Sequence, residues 1–195
     1  MATFFVLLAG LPLLAIVAPN AWTGLVDGFY RAGALVFGGG HVVLPLLEAE
    51  TVARGWLSGD EFLAGYGAAQ ALPGPLFTFA AFLGTIVAPA GPGWISGVLC
   101  LIAILLPSML LVIGILPYWE CLRGNPTAKA ALLGANAAVV GLLIAAFYDP
   151  IWRASITSPS ALALALVAFC ALQFWKVPPW LLVIMCGLLG GVFLA

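Results

Sequence analysis

Two interruptions of apolar sequence contain the residues of this chain that could do chemistry. The first reads Phe37-Gly38-Gly39-Gly40-His41, and the second reads Pro73-Gly74-Pro75. Successive glycines and prolines disfavour a continuous helix, so each interruption ends one helix and begins another. A helix start carries unpaired N–H groups and partial positive charge, which favour a small anion. The candidate binding residues are Phe37, Gly38, Gly39, Gly40, His41, Gln70, Pro73, Gly74, Pro75 and Thr78.

Two polar side chains beside the breaks could add hydrogen bonds to such a site. His41 is the only histidine, and an imidazole can donate to an anion or change charge near neutral pH. Gln70 has two amide donors less than one helical turn before the second break. The alternative roles are structural: a buried histidine, a glutamine that bonds between helices, and glycines that let membrane helices pack closely.

Charged residues form a second group of candidates. Asp27 and Arg31 are four residues apart, so they lie on one helix face and are expected to pair. The pair favours a structural role, with attraction of a substrate by Arg31 as the alternative. Residues 48–61 are interpreted as a solvated polar connector, in which one carboxylate could take up a proton. The possible charge or coupling residues are therefore Arg31, Asp27, Glu50 and Arg54.

The composition of the chain identifies the surroundings of these residues. Of 195 residues, 65% are apolar and only 7% are charged, whereas soluble domains carry about a quarter charged residues. A helix needs about 20 apolar residues to cross the hydrocarbon core of a bilayer. The sequence thus predicts an all-α, polytopic transmembrane helix bundle, with apolar segments at 3–17, 95–116, 128–147, 161–175 and 180–195.

One transmembrane domain over residues 1–195 is expected, with about seven hydrophobic elements. Residues 22–90 contain the two discontinuous helices, and residues 94–195 form four plainer ones. Asp60 is expected to cap the helix that runs to the second break. The first apolar segment has no basic residue before it, so it is interpreted as a helix rather than a secretion signal. The basic residues weakly favour a cytoplasmic 119–129 loop, a bias that also suits insertion in both orientations.

Several classes of function are disfavoured by the residues themselves. The net charge of −1, without a basic run, does not suit nucleic-acid binding. The four cysteines are scattered, so neither a metal site nor a cofactor is predicted. The segment Gly93-Trp94-Ile95-Ser96-Gly97 lacks the GxSG spacing of an intramembrane serine protease, and no enzyme is predicted. The two breaks in a membrane bundle predict a carrier for a small anion. The alternatives are an anion channel and a structural membrane subunit that does not transport.

The motifs resemble those of the chromate ion transporter family. The matching segments are Phe37-Gly38-Gly39-Gly40-His41-Val42-Val43-Leu44-Pro45-Leu46, then Gly55-Trp56-Leu57, then Ala69-Gln70-Ala71-Leu72-Pro73-Gly74-Pro75. They follow the order FGG, GWL and PGP of the family repeat, at similar spacing. The specific likeness covers residues 22–90, and the remainder agrees only in hydropathy.

This resemblance implies a function and an assembly. Long members of the family contain two homologous halves, and short members contain one half and are thought to pair in opposite orientations. The GGG-His version and the preceding helix resemble the C-terminal half. The resemblance implies export of chromate, a dianion similar to sulfate, across the bacterial inner membrane, by a homodimer or with a partner half.

Overall fold

The computed structural model describes residues 1–37, 42–71, 74–89 and 91–193. Within these ranges all regular secondary structure is helical, which confirms the predicted all-α class. A 3-10 turn at Leu116–Tyr118 and a π-helical segment at Phe147–Trp152 join some of the helices. The α-helices are α1 Ala2–Val17, α2 Ala21–Leu35, α3 Val43–Thr51, α4 Gly59–Ala71, α5 Thr78–Ile86, α6 Gly93–Ile115, α7 Trp119–Gly124, α8 Pro126–Ala146, α9 Arg153–Ser155, α10 Pro159–Gln173 and α11 Pro179–Phe193.

Two helical stretches are long and apolar enough to cross a membrane. They are Gly93–Gly124, with 32 residues, and Pro126–Asp149, with 24 residues. Shorter apolar helices cover Ala2–Val17, Pro159–Gln173 and Pro179–Gly190. Because many large apolar side chains point outward from these helices, the fold is that of a membrane helix bundle.

The core of the bundle lies between helices α2 to α6. The most extensive helix–helix contacts are those of α6 with α2 and with α5. Side chains from all five helices are buried together, because each helix turns an apolar face to the others. These core residues include Phe29 of α2, Leu47 of α3, Phe62 of α4, Phe79 of α5 and Ile104 of α6.

Close approach of the helices in this core depends on glycine. A Cβ at Gly33 of α2 would overlap the main-chain oxygen of Ile104 in α6. A Cβ at Gly97 of α6 would lie 2.8 Å from the main-chain oxygen of Ala81 in α5. Small residues at such crossings allow membrane helices to pack backbone to backbone.

Both expected helix breaks are present. Helix α2 ends at Leu35, after which Val36 is extended, and α3 begins at Val43. Helix α4 ends at Ala71, and α5 begins at Thr78. Val36 and Phe77 flank the two breaks and pack against the same core. The two discontinuous helices of the predicted fold are therefore confirmed, and both are supported by one core.

Two details of the polar stretch 48–61 were predicted wrongly. Glu48 and Glu50 lie in helix α3 rather than in a solvated connector. The cap of α4 is Ser58, not Asp60. The Ser58 hydroxyl accepts from the Glu61 N–H at 3.2 Å, and the Glu61 carboxylate accepts from the Ser58 N–H at 3.0 Å. This reciprocal pair satisfies two N-terminal donors and starts the helix at Gly59, which leaves Asp60 inside its first turn.

The helices after residue 93 are close to the expected four. Helices α6, α8, α10 and α11 occupy the positions of the four apolar segments. The short helices α7 and α9 lie in stretches that were expected to be connectors. Helix α6 continues through Pro107, which is buried against the bundle.

Candidate functional site

The second break begins its new helical turn at Pro75. The Pro75 carbonyl accepts two hydrogen bonds from Thr78, one from its N–H at 3.0 Å and one from its hydroxyl at 2.9 Å. The Leu76 carbonyl accepts from the N–H of Phe79. Proline suits a first helical turn because its missing N–H has no intrahelical partner there. Both donors of Thr78 are thus engaged locally, which does not support its predicted role as a ligand donor. Gly74 and Pro75 are exposed at the start of the turn.

Gln70 has a partner within its own helix. Its amide nitrogen donates to the hydroxyl of Tyr66 at 2.6 Å, one turn back along α4. The Tyr66 ring meets Phe79 of α5 edge to face, with 5.9 Å between ring centroids. Gln70 and Tyr66 therefore connect the two arms of the second break, with the amide oriented by the phenol.

The first break borders a cavity of about 540 Å³, to which Phe37 contributes one wall. Arg123 of α7 and Lys129 of α8 also contribute to the lining of this cavity, which is almost entirely apolar. In the sequence, these two residues indicated only on which side of the membrane the 119–129 loop lies. Nothing in their local sequence indicates that α7 and α8 approach Phe37. The predicted site residues Gly38, Gly39, Gly40, His41 and Pro73 lie outside the described residues.

The four charged residues named as coupling candidates lie together. We call Asp27, Arg31, Glu50 and Arg54 the four-charge cluster. Asp27 pairs with Arg31 one turn along α2, as predicted, and lies 3.8 Å from Nη2 of Arg54. Glu50 pairs with Arg54, and its Oε1 lies 3.6 Å from Nε of Arg31. Each carboxylate therefore faces both guanidinium groups, and the cluster ties α2 to α3 across the first break.

Burial differs sharply between the acids and the bases of the cluster. The side chains of Asp27 and Glu50 are 5% and 14% exposed, whereas those of Arg31 and Arg54 are 37% and 30% exposed. Glu50 packs closely against Gly28 of α2, because a Cβ at residue 28 would lie 3.0 Å from Glu50 Oε2. The formal charges sum to zero, with the carboxylates inside and the guanidinium groups toward the outside.

A second cavity, of about 550 Å³, adjoins the cluster on the side of Arg54. It is bounded by the end of α1, the start of α2 and the end of α5. Two of its lining residues, Gly24 and Trp56, contact Arg54. The Gly24 carbonyl accepts from Arg54 Nη1 at 3.5 Å, and the guanidinium carbon lies 5.2 Å from the Trp56 ring centroid. This ring face stabilises the cation at the edge of the cavity.

Helix interruptions and paired charges inside an apolar helix bundle are characteristic of membrane transport proteins. Irregular backbone survives at membrane depth only where protein buries it or where it lines a cavity. Ionisable side chains there mark substrate or ion pathways when they are not purely structural pairs. Discontinuous helices around a central site are a recurring feature of secondary transporters.

Comparison with known sequences identifies the family within this class. A family model described as "Chromate transporter" matches residues 23–191, from α2 to α11. The chain belongs to the chromate transporter family. No solved structure matches it significantly.

Individual relatives agree with this assignment. A probable chromate transport protein of Synechococcus elongatus is 29% identical over 195 residues, covering 94% of this chain and 48% of that protein. A chromate transport protein of Pseudomonas aeruginosa is 34% identical over 119 residues, or 61% of this chain and 28% of that protein. The uncharacterized transporter YwrA of Bacillus subtilis is 32% identical, covering 86% of this chain and 94% of YwrA. The chain thus spans about half the length of the first relative and nearly all of the third.

Proposed function

We propose that this chain is a carrier for a small oxyanion, with chromate export as its activity and sulfate as a related substrate. The observation that carries the proposal is the pair of interrupted helices supported by one core, in a chain of the chromate transporter family. Two relatives have names that include chromate transport. The substrate class thus rests on the relatives, and the binding mode rests on the breaks.

In the proposed binding mode the main chain around both breaks donates to the anion. A helix start carries partial positive charge, and an exposed Gly74 lets a ligand reach the backbone. Arg123 and Lys129, which line the same cavity as Phe37, add positive charge on the side of the first break and attract anions toward it. The transported ion would be exposed to each side in turn by rocking of one part of the bundle against another.

The membrane potential supplies a driving force for export. A charge that moves across the membrane changes its energy by about 2.3 kcal/mol per 100 mV. A dianion that leaves a cell with a negative interior therefore gains twice that amount. Export needs no further coupling ion on this basis, although the four-charge cluster offers carboxylates that could accept a proton.

The proposed location is the bacterial inner membrane, crossed several times by the chain. The proposed functional unit contains two halves in opposite orientations, either two copies of this chain or this chain with a partner half. Relatives of about twice its length and relatives of about its own length both support such a unit.

Transport by the purified chain in lipid vesicles tests the proposal. Labelled chromate and sulfate are offered with an imposed potential of either sign, and we expect saturable, potential-dependent movement of both ions. A flux that rises in proportion to concentration indicates a channel instead. If neither ion moves at either potential, the assigned substrate class is wrong.

Gly74→Leu tests the binding mode separately from the fold. A side chain at Gly74 meets no atom within 4 Å of its Cβ position, so the variant is expected to fold. We expect transport to fall at least tenfold because the side chain blocks access to the main chain at the break. Gly59→Leu, at another exposed glycine with open space, is the matched control and should transport normally. Equal transport by both variants contradicts the proposed role of the second break.

A further inference from the structure

We propose that Arg31 and Arg54 form a second anion-binding site, distinct from the main-chain donors at the helix breaks, which Asp27 and Glu50 occupy when no anion is bound. The ligand is an oxyanion of the same class as the transported ion, and only this choice of ligand rests on the proposed function. The four-charge cluster is then a site at which the chain's own carboxylates compete with the substrate.

The guanidinium donors of the cluster are already arranged around oxygen atoms. Each carboxylate of the cluster faces both guanidinium groups, with the longer approaches at 3.6 and 3.8 Å. A guanidinium group presents several N–H donors in a plane that suits carboxylates and tetrahedral oxyanions alike. The two arginines therefore already hold oxygen atoms at positions that an oxyanion's oxygens could take.

The exposure of the four side chains indicates the side from which an anion arrives. The guanidinium groups are more exposed than the carboxylates, which lie behind them. Arg54 contacts Gly24 and Trp56, both of which line the cavity between α1, α2 and α5. Gly24 and Trp56 thus lie between this cavity and Arg54, and an anion that passes them reaches the Arg54 guanidinium before the more buried carboxylates.

The burial of the two acids indicates which carboxylate leaves when an anion binds. Asp27 is the more deeply buried of the two acids and is held by Arg31 on its own helix. Glu50 has a longer side chain, is more exposed, and packs closely against Gly28 of α2. An arriving dianion repels both carboxylates, and Glu50 can move away at the lower cost.

Displacement of Glu50 has a consequence for the first break. Glu50 lies in α3, which is the arm that follows the break, whereas Asp27 and Arg31 lie in α2, the arm that precedes it. The Glu50 contact with Arg31 is part of what holds the two arms together. Binding of an anion at the cluster would therefore loosen the break and prepare it for the transported ion.

The experiment compares two variants that break the same ion pair. Glu50→Gln leaves the guanidinium of Arg54 without its competitor, and Arg54→Gln removes the guanidinium. Sulfate affinity is measured by calorimetry on the purified chain in lipid nanodiscs, with gluconate keeping the ionic strength constant. We expect Glu50→Gln to tighten sulfate binding and Arg54→Gln to weaken it, each by roughly fivefold or more, the size expected for one unit charge at ion-pair distance.

Further variants separate this site from a purely structural ion pair. Arg54→Lys keeps the charge and the pairing with Glu50 but loses the planar donors, so sulfate should bind more weakly than in the wild type. The exposed pair Asp149 and Arg153, with 3.0 Å between Oδ2 and Nη1, is the matched control. Asp149→Asn and Arg153→Gln should leave sulfate affinity unchanged.

The result that overturns the proposal is a change in the same direction, or no change, in Glu50→Gln and Arg54→Gln. Absence of sulfate binding to Glu50→Gln also overturns it. Tighter sulfate binding by Glu50→Gln together with weaker binding by Arg54→Gln supports the second site, even if the vesicles transport neither ion. In that case only the proposed function fails. Thermal unfolding of each variant confirms that the measured chain is folded.

Discussion

The region from α2 to α6 and the region from α8 to α11 are similarly apolar but differ in what covers their side chains. The first contains the common core and the four-charge cluster. In the second, the buried residues among the described side chains are Ala146, Ala161 and Ala171. In the first region, therefore, this chain covers its own apolar surface. The surface of the second needs lipid or another protein chain.

The comparison shows that one residue type has different physical roles in the two regions. Gly33 and Gly97 face the backbone of a neighbouring helix, whereas Gly134 and Gly141 of α8 face open space. Ion pairs differ in the same way, because Asp27 is buried and Asp149 is 60% exposed. Matched substitutions in the two regions should thus have unequal effects on stability.

The largest difference is expected between Gly33→Leu and Gly141→Leu. Leucine at position 33 would force α2 away from the main-chain oxygen of Ile104. Overpacking typically costs about 1–3 kcal/mol, and we expect at least the upper end of this range because the obstacle is backbone. Denaturant unfolding in detergent micelles measures the loss, and Gly141→Leu should remain close to the wild type. Equal losses would remove the contrast between the two regions.

A smaller difference is expected between Asp27→Asn and Asp149→Asn. Removing one partner of a buried ion pair costs about 3 kcal/mol or more, and Asp27 faces two arginines. Arg31 is partly exposed and keeps Glu50 nearby, so the low end of that range applies. An exposed pair contributes about 0–1 kcal/mol, which is the expected loss for Asp149→Asn. Thermal unfolding at fixed pH and salt compares the two variants. A loss for Asp27→Asn as small as that of the control would show that the cluster does not stabilise the bundle.

The next difference concerns two serine helix caps. Ser58 exchanges hydrogen bonds with Glu61 at the start of α4, and Ser158 accepts from the N–H of Ala161 at the start of α10. Alanine at an N-cap costs about 1 kcal/mol. We expect this full loss for Ser58→Ala, because α4 packs in the core, and a smaller one for Ser158→Ala. Global unfolding monitored by circular dichroism measures both, and a larger loss at Ser158 would indicate that α10 belongs to the cooperative core.

The smallest effect is expected for Gly134→Ala in α8. The new methyl group meets no atom of this chain within 4 Å. Alanine is preferred to glycine in a helix by about 1 kcal/mol, so the stability should rise slightly or stay the same. Thermal unfolding of the purified chain in nanodiscs measures the change. A clear destabilisation would show instead that another chain packs closely against this face of α8.

Much of the architecture was predictable because it depends on local properties of the chain. Continuous apolar segments predicted the membrane helices, and glycine and proline runs predicted where helices stop, since both effects act within a few residues. The pairing of Asp27 with Arg31 was predictable for the same reason, because four residues along a helix return to one face.

Contacts between distant segments were not predictable from these patterns. Nothing near Glu50 or Arg54 indicates that they meet Asp27, and nothing near Arg123 indicates that it shares a cavity with Phe37. The spacing of Ser58 and Glu61 is that of a capping box, so the sequence contains the signal for this cap. Asp60 also suits a helix start, and the prediction of Asp60 was therefore wrong although its residue type is favourable.

The lipid surroundings, the helical class and the helix interruptions follow from the amino-acid sequence, because hydropathy and backbone preference are properties of single residues and short segments. The pairing of the charges, the close glycine contacts and the burial of particular helix faces follow from the packing of the helices. Those outcomes depend on how far apart the helices pack, and that distance is set by all the side chains between them together.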